Sequence, residues 1–347
     1  MPSAKFRAAA VHAAPEYMNK AATTTKVLRL IEQAAKQSVT LLVFPEVFIP
    51  GFPYFINCYP PLKQVDAIVQ YRQQSVAVDG EEIAQIRSAC RAFGVSISLG
   101  ISELMSEGRS TLFNSQVFID TDGTILGVHR KIQPTFAERY LWGQGDGWTL
   151  RTFDTKAGYR LGGLCCWEHT INGARQALIA DNQHVHAAAW PSLSTMAGFE
   201  AVADVQIEAL MKTHALTAQV FVICASSYVD ESCLRWLREN LGETDLVKAG
   251  GGWSAIIHPF CAYLAGPVTG EKEELLQAEI DLSQLEGIKL WLDGAGHSSR
   301  PEILQFHVDR RAVWADERDD RTYFRTLPAT ATDNDACEQQ YTSPNDI

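Results

Sequence analysis

The run Thr40-Leu41-Leu42-Val43-Phe44, followed at once by Pro45-Glu46, decides the class of fold. Five β-branched or apolar residues in succession, without polar alternation, suit a strand covered on both faces. Such strands belong to parallel or mixed sheets with helices packed over them. Upstream, Phe6–His12 reads as a strand and Asn19–Lys36 as a helix, with Val27, Leu28, Ile31 and the Ala34/Ala35 pair at helical spacing. Downstream, Ile83–Phe93 reads as a helix and Val95–Leu99 as a strand. Residues 114–119 and 124–129 form a hairpin around Asp120-Thr-Asp-Gly123, because Asp-Gly is a hairpin turn signal. The alternation continues with strands at 160–165, 184–189, 219–225 and 275–280, and helices at 173–180, 199–216 and 283–291. The last helix starts on an Asp281/Ser283 cap signal, and 253–257 with 261–264 forms a second hairpin. The expected class is α/β with mixed sheets.

Length and composition bound the rest. At roughly 150 residues per domain, 347 residues suggest about two domains, although single α/β domains also reach this size. No linker divides the chain and no internal repeat is visible. The expected organisation is one large domain over 1–309 and a polar tail over 310–347 whose last roughly fifteen residues are disordered. Thirty basic against forty-one acidic residues, a net charge of −11, argues against nucleic acid and anionic membrane as partners. No run approaches the roughly 18 apolar residues of a membrane helix. The segment Met1-Pro-Ser-Ala-Lys-Phe6 lacks a signal-peptide layout, so a cytoplasmic location and reduced cysteines are expected. None of the eight cysteines (58, 90, 165, 166, 224, 233, 261, 337) forms Cys-x-x-Cys.

Three side chains follow directly on expected strands, where open α/β sheets bind ligands. Glu46, in an apolar setting, would carry a raised pKa suited to a general base, or serve as a surface glutamate capping a strand. Lys131 would stabilise a developing anion, or decorate an exposed edge strand. Cys166, beside amide N–H groups and a lysine, would ionise easily and attack carbon, or serve as a buried structural cysteine like Cys165. Cys-Cys-x-Glu-His has no second ligand cluster, so no metal is expected. Gly-x-Ser-x-Gly, His-Glu-x-x-His and phosphate-loop signatures do not occur.

Taken together, these strings resemble the nitrilase superfamily of carbon–nitrogen hydrolases over about residues 5–310. The resemblance rests on Phe44-Pro-Glu-Val-Phe-Ile-Pro-Gly51, His129-Arg-Lys-Ile-Gln-Pro-Thr135, Cys166-Trp-Glu-His169 and Asp293-Gly-Ala-Gly-His-Ser-Ser-Arg-Pro301. With Glu138-Arg-Tyr-Leu-Trp-Gly-Gln-Gly-Asp-Gly147, the last is similar to the nitrilase branch. The resemblance implies a four-layer α-β-β-α sandwich with two mixed β-sheets. It also implies Cys166 as nucleophile, Glu46 as general base, Lys131 as anion stabiliser, and Glu138 as the second glutamate holding the lysine and substrate. Tyr54, Trp142, Trp167, Trp190 and Pro191 would line the pocket, and His169 would fix local structure. No cofactor is implied. The implied partners are a small nitrile and further copies of the chain, as a homodimer or a spiral with the tail at the interface. The implied reaction converts a nitrile to a carboxylic acid and ammonia through a Cys166 thioimidate and thioester. An amidase, a nitrile or cyanide hydratase and a catalytically silent scaffold are the alternatives. Two segments depart from the pattern: Tyr54-Phe-Ile-Asn-Cys-Tyr-Pro-Pro61 lacks a Trp-rich run, and Thr170-Ile-Asn-Gly173 replaces the commoner Gln/Asn-Pro-Leu. Both flank the site, so substrate preference does not carry over.

Overall fold

In the computed structural model, which describes residues 5–105 and 110–314, strand β1 (Lys5–His12) leads into helix α1 (Lys20–Lys36). Asn19 sets the start of α1 by accepting from the Ala22 N–H at 3.0 Å. Next come β2 (Val39–Val43), α2 (Phe55–Cys58), α3 (Val65–Gln74), α4 (Glu81–Phe93), β3 (Ser96–Leu104), β4 (Leu112–Ile119) and β5 (Ile125–Arg130). The second half runs β6 (Phe153–Asp154), β7 (Arg160–Cys165), α5 (Asn172–Ala180), β8 (Val185–Trp190), α6 (Ala203–Ala218), β9 (Phe221–Ser226), α7 (Glu231–Leu241), β10 (Ser254–Ile257), β11 (Tyr263–Val268), β12 (Glu274–Asp281) and α8 (Gln284–Trp291).

The strands form two six-stranded mixed sheets, β12-β1-β2-β3-β4-β5 and β11-β10-β9-β8-β7-β6. Strand alternation assigns the layers. Leu41 and Val43 of β2, with Ala8, Ala10 and Phe118, meet Leu161, Val185, Ala187 and Ile223 of the other sheet in the central core. The opposite face of the second sheet, Ala188, Val222 and Cys224, packs under Ile207, Met211 and Ala215 of α6. Helices α1 and α4 bury Val27, Leu30, Ile31, Ile83 and Ile86. The result is the α-β-β-α layering. No helix among the described residues is long and apolar enough to cross a membrane.

The two sheets share one pairing pattern. Outward from β12 in the first sheet and from β6 in the second, successive pairs run antiparallel, parallel, parallel, antiparallel, antiparallel. The sequence shows no repeat because backbone pairing repeats while the side chains differ. Equivalent strands β2 and β8 run into Phe44-Pro45-Glu46 and Trp190-Pro191-Ser192. One half supplies a carboxylate where the other supplies a hydroxyl.

Most elements match the sequence reading, with informative exceptions. Strand β3 continues past Leu99 to Leu104 through Gly100. A Cβ at Gly100 would lie 2.2 Å from Pro45 O and 2.5 Å from Val47 N, so the strand there must have no side chain. Helix α6 starts at Ala203, after turns at 199–202. Helix α7 was not anticipated; it buries the narrow stripe Cys233, Leu237 and Leu241 and is capped by Asp230, which accepts from Cys233 N at 3.0 Å. The Ser283 side chain does not cap α8; Asp281 Oδ1 instead accepts from Ser283 N at 3.1 Å. The described residues from 5 to 311 belong to one compact unit. Arg310, at the start of the expected tail, donates to Leu150 O and pairs with Asp181 at 2.8 Å, inside that unit. The tail beyond residue 314 lies outside the described residues.

Candidate active site

Glu46 is delivered by the end of β2. Phe44 N donates to Ser98 O at 2.8 Å, the last rung before the chain leaves the sheet, and the chain then crosses bare Gly100. Val47 follows at φ +46°, an unusual conformation for a β-branched residue and a sign that the loop is held by its surroundings. The Glu46 carboxylate is 1% exposed.

Lys131 follows β5. Its N–H donates to Asn114 O at 2.8 Å and its carbonyl accepts from Gly145 N at 2.9 Å, which fixes the backbone on both sides. Its Nζ lies 2.9 Å from Glu46 Oε1 and 2.7 Å from Glu138 Oε2. Glu138 is held by a capping box on the 3-10 turn at 136–140, where Thr135 N donates to Glu138 Oε2 at 2.8 Å. Burial alone would discharge Lys131. Glu138 and Glu46 outweigh that burial, so the ammonium is held well above its ordinary pKa.

Cys166 opens a 3-10 turn (166–170) at the end of β7, at φ +52°. Two groups hold this left-handed residue. His169 Nδ1 donates to Cys166 O at 2.6 Å. Glu168 accepts from Cys165 N at 2.9 Å and Ile132 N at 2.8 Å, and faces His129 Nε2 at 2.9 Å. Its carboxylate thus ties the residue after the lysine to the residue before the nucleophile. Burial would neutralise Glu168, but His129 outweighs it and holds the carboxyl below its ordinary range; burial likewise opposes charge on His129, and Glu168 outweighs it in turn. These two form a buried ion pair.

Acceptor atoms of Glu46, Glu138 and Cys166 all lie within 4.8 Å of one another. A cation bound by these three would have to compete with the Lys131 ammonium, which already touches both carboxylates. The expectation of easy thiol ionisation is corrected here. Burial and then Glu46 push the Cys166 thiol well above its ordinary pKa, and Lys131 and the Trp167 N–H only partly offset them. The resting thiol is protonated and needs a base. Burial, against the pull of Lys131, pushes the Glu46 carboxyl up to about 7. A base of that strength operates at neutral pH.

The expected pocket residues divide into two groups. Trp190 shares a buried cluster with Cys166 and stacks on His169 at 5.3 Å, and Trp167 is half-buried with its edge on Phe199 at 5.7 Å. Pro191 is buried, its carbonyl accepting from Ser226 Oγ at 3.1 Å. Tyr54 and Trp142 lie in a separate cluster. Tyr54 OH accepts from Ser192 N at 3.0 Å, and Trp142 donates its indole N–H to Ser102 Oγ at 3.1 Å while packing on Phe52 and Tyr71. Trp142 thus has its polar atom satisfied within the core. Sequence reasoning assigned no role to His129, Glu168 or Asn114. The first two stand inside the quoted strings, and their adjacency to Lys131 and Cys166 was the available signal.

Residues 7–290 match the model of the carbon–nitrogen hydrolase family. The chain is 36% identical over 301 residues to a nitrilase of Pseudomonas syringae pv. syringae, covering 86% of this chain and 88% of that protein. It is 35% identical over 311 residues to an aliphatic nitrilase of Rhodococcus rhodochrous, covering 88% and 83%. A carbon–nitrogen hydrolase structure from Helicobacter pylori G27 superimposes with a TM-score of 0.68 at 20% identity, covering 88% of this chain and all of that one, which speaks for the fold alone.

Proposed function

The chain belongs to the carbon–nitrogen hydrolase family and is a hydrolase of the nitrilase type, and from that premise we propose how its own residues turn a nitrile into a carboxylic acid and ammonia. Glu46 takes the Cys166 proton as sulfur bonds to the nitrile carbon, and the same proton passes to nitrogen to give a thioimidate. Water, deprotonated by Glu46, adds to that carbon. Ammonia leaves and a thioester remains, which a second water hydrolyses to the acid and free thiol. Two covalent steps replace one difficult hydrolysis. Lys131 uses two of its three N–H bonds on Glu46 and Glu138, which leaves the third for the anionic character that develops on substrate. Glu138 keeps the ammonium charged and aimed.

The observation that carries this reading is the convergence of one protonated thiol, one base of matched strength and one locked ammonium on a single buried spot. It is tested with matched nitriles and amides, measuring ammonia, acid and amide. Nitriles are expected to yield ammonia and acid, with the amides turned over slowly. Brisk amide hydrolysis with inert nitriles would favour the amidase alternative and overturn the assignment. Because Glu46 must be ionised to act, kcat/KM is expected to rise with pH and level off above about 7. A flat profile through that range excludes Glu46 as base.

We further propose that the protein is a cytoplasmic homo-oligomer. Leu290 and Trp291 of α8 are 80% and 83% exposed, and Ile303, Leu304 and Phe306 are exposed as well, apolar side chains of the kind that a second copy would cover. Light scattering of the full chain is expected to give at least a dimer; a monomer at micromolar concentration overturns this.

A further inference from the structure

The two oxygens of Glu46 stand in different surroundings. Oε1 accepts from Asn114 Nδ2 at 2.7 Å and from Lys131 Nζ at 2.9 Å. Oε2 is buried and has no hydrogen-bond partner among the described residues. A buried carboxylate oxygen without a donor is costly, and it persists only where something else uses it. Cys166 Sγ lies within the same 4.8 Å cluster.

Asn114 sits at the centre of this asymmetry. It lies on β4 opposite Ser102, 1% exposed. Its side chain holds the Glu46 carboxylate while its carbonyl holds the backbone of Lys131 at 2.8 Å. One residue therefore registers the base against the ammonium. Lysine alone would leave the carboxylate able to rotate about its last bond and exchange oxygens. Two donors converging on one oxygen, one from β4 and one from the segment after β5, remove that freedom.

We propose that Asn114 is a positioning residue that assigns the two Glu46 oxygens separate tasks, Oε1 held by donors and Oε2 left as the atom that exchanges the proton with Cys166. In the step concerned, the Sγ–H bond breaks as an Oε2–H bond forms, and the sulfur electron pair becomes the bond to carbon. The Oε2 proton is then transferred to the substrate nitrogen, so the carboxylate is regenerated. This rests on the proposed role of Glu46 as base and extends it to a residue outside the four first singled out.

The charged neighbours that act on Glu46 are Lys131 after β5 and Glu138 on the turn at 136–140, and Glu46 in turn, adding to burial, raises the pKa of Cys165 and Cys166 at the end of β7, Tyr54 before α2 and Tyr71 on α3. Asn114 adds a neutral donor that favours the ionised form. Removing it is expected to make Glu46 harder to ionise. The test compares Asn114→Ala, which leaves space, and Asn114→Leu, which fills it, each checked by its melting curve. Two pH profiles are measured: kcat/KM on a nitrile, and the rate of Cys166 alkylation by iodoacetamide located by peptide mass. In a folded variant the acid limb of both profiles is expected to move up by about one pH unit, making the loss about tenfold deeper at pH 6 than at pH 9. A limb that stays at its wild-type position in the folded variants, whatever the rates, overturns the inference. The alkylation arm keeps the two readings apart. A wild-type protein inert to nitriles would sink the proposed reaction, while the alkylation limb would still decide the role of Asn114.

Discussion

Cys166→Ala is expected to lower kcat for nitrile hydrolysis by on the order of 10⁴-fold or more, with the fold intact. The size of the effect follows from the chemistry. Every bond change passes through Sγ, and a buried carboxylate with a pKa near 7 cannot bring water to the nitrile carbon with the same geometry. Alanine keeps the Cβ and meets the same left-handed backbone cost as cysteine, so the turn at 166–170 should persist, held by Glu168 and His169. Cys166→Ser should be nearly as damaging, because Glu46 would have to deprotonate a far weaker acid. Ammonia release and intact-protein mass spectra check this together. The wild type should show a substrate adduct under rapid quench and the alanine variant none. An alanine variant with more than a few per cent of wild-type activity would remove sulfur from the mechanism.

Lys131→Met should damage both activity and stability. The ammonium is fully buried and bonded to two carboxylates. Methionine keeps most of the stem but leaves Glu46 and Glu138 facing each other without a cation. Removing one partner from a buried ion pair costs about 3–5 kcal/mol, and losing an anion-stabilising donor costs about 10²–10³-fold in kcat. The stability loss should depend on pH. Burial already raises the Glu46 carboxyl, and Lys131 opposes it; without the lysine the folded state binds that proton more readily, so stability falls as pH rises past the ordinary carboxyl range. The deficit, read from urea unfolding, should be deepest at pH 8 and shrink towards pH 5. Adding Glu138→Gln should recover part of the stability and none of the rate. A Lys131→Met protein as stable as wild type at pH 8 would mean that the carboxylates are not ionised together with the lysine.

The sequence made some of this legible because the relevant signals are local. The unbroken run at 40–44 marks a doubly covered strand, Asp120-Thr-Asp-Gly123 marks a hairpin, and Glu46, Lys131 and Cys166 each stand just past a strand. What it did not reveal is set by contacts between distant segments. Gly100 reads as the end of an apolar run, yet the strand continues because another backbone passes over it. The repeated sheet topology is invisible because pairing involves main-chain groups that every residue possesses. The ionisation of Cys166 was misjudged because a nearby lysine suggests a thiolate, whereas the lysine charge is already engaged by two carboxylates. Asn114 carries no sequence signal at all; its role comes from β4 lying between β3 and β5.

The pairing of β12 with β1 has a consequence for how the molecule comes into being. Among the described residues β1 is the first strand and β12 the last, and they join along Lys5–His12 and Glu274–Asp281. While the chain is being synthesised, β1 therefore holds an unpaired edge of largely apolar character until some 260 further residues have followed it. The half that carries Glu46 and Lys131 is complete only after the half that carries Cys166 has been made. Such long-range closure slows folding and exposes a strand edge meanwhile. A nascent fragment ending before residue 274 would therefore carry all four catalytic groups while the sheet that positions Glu46 and Lys131 still lacks its β12 edge.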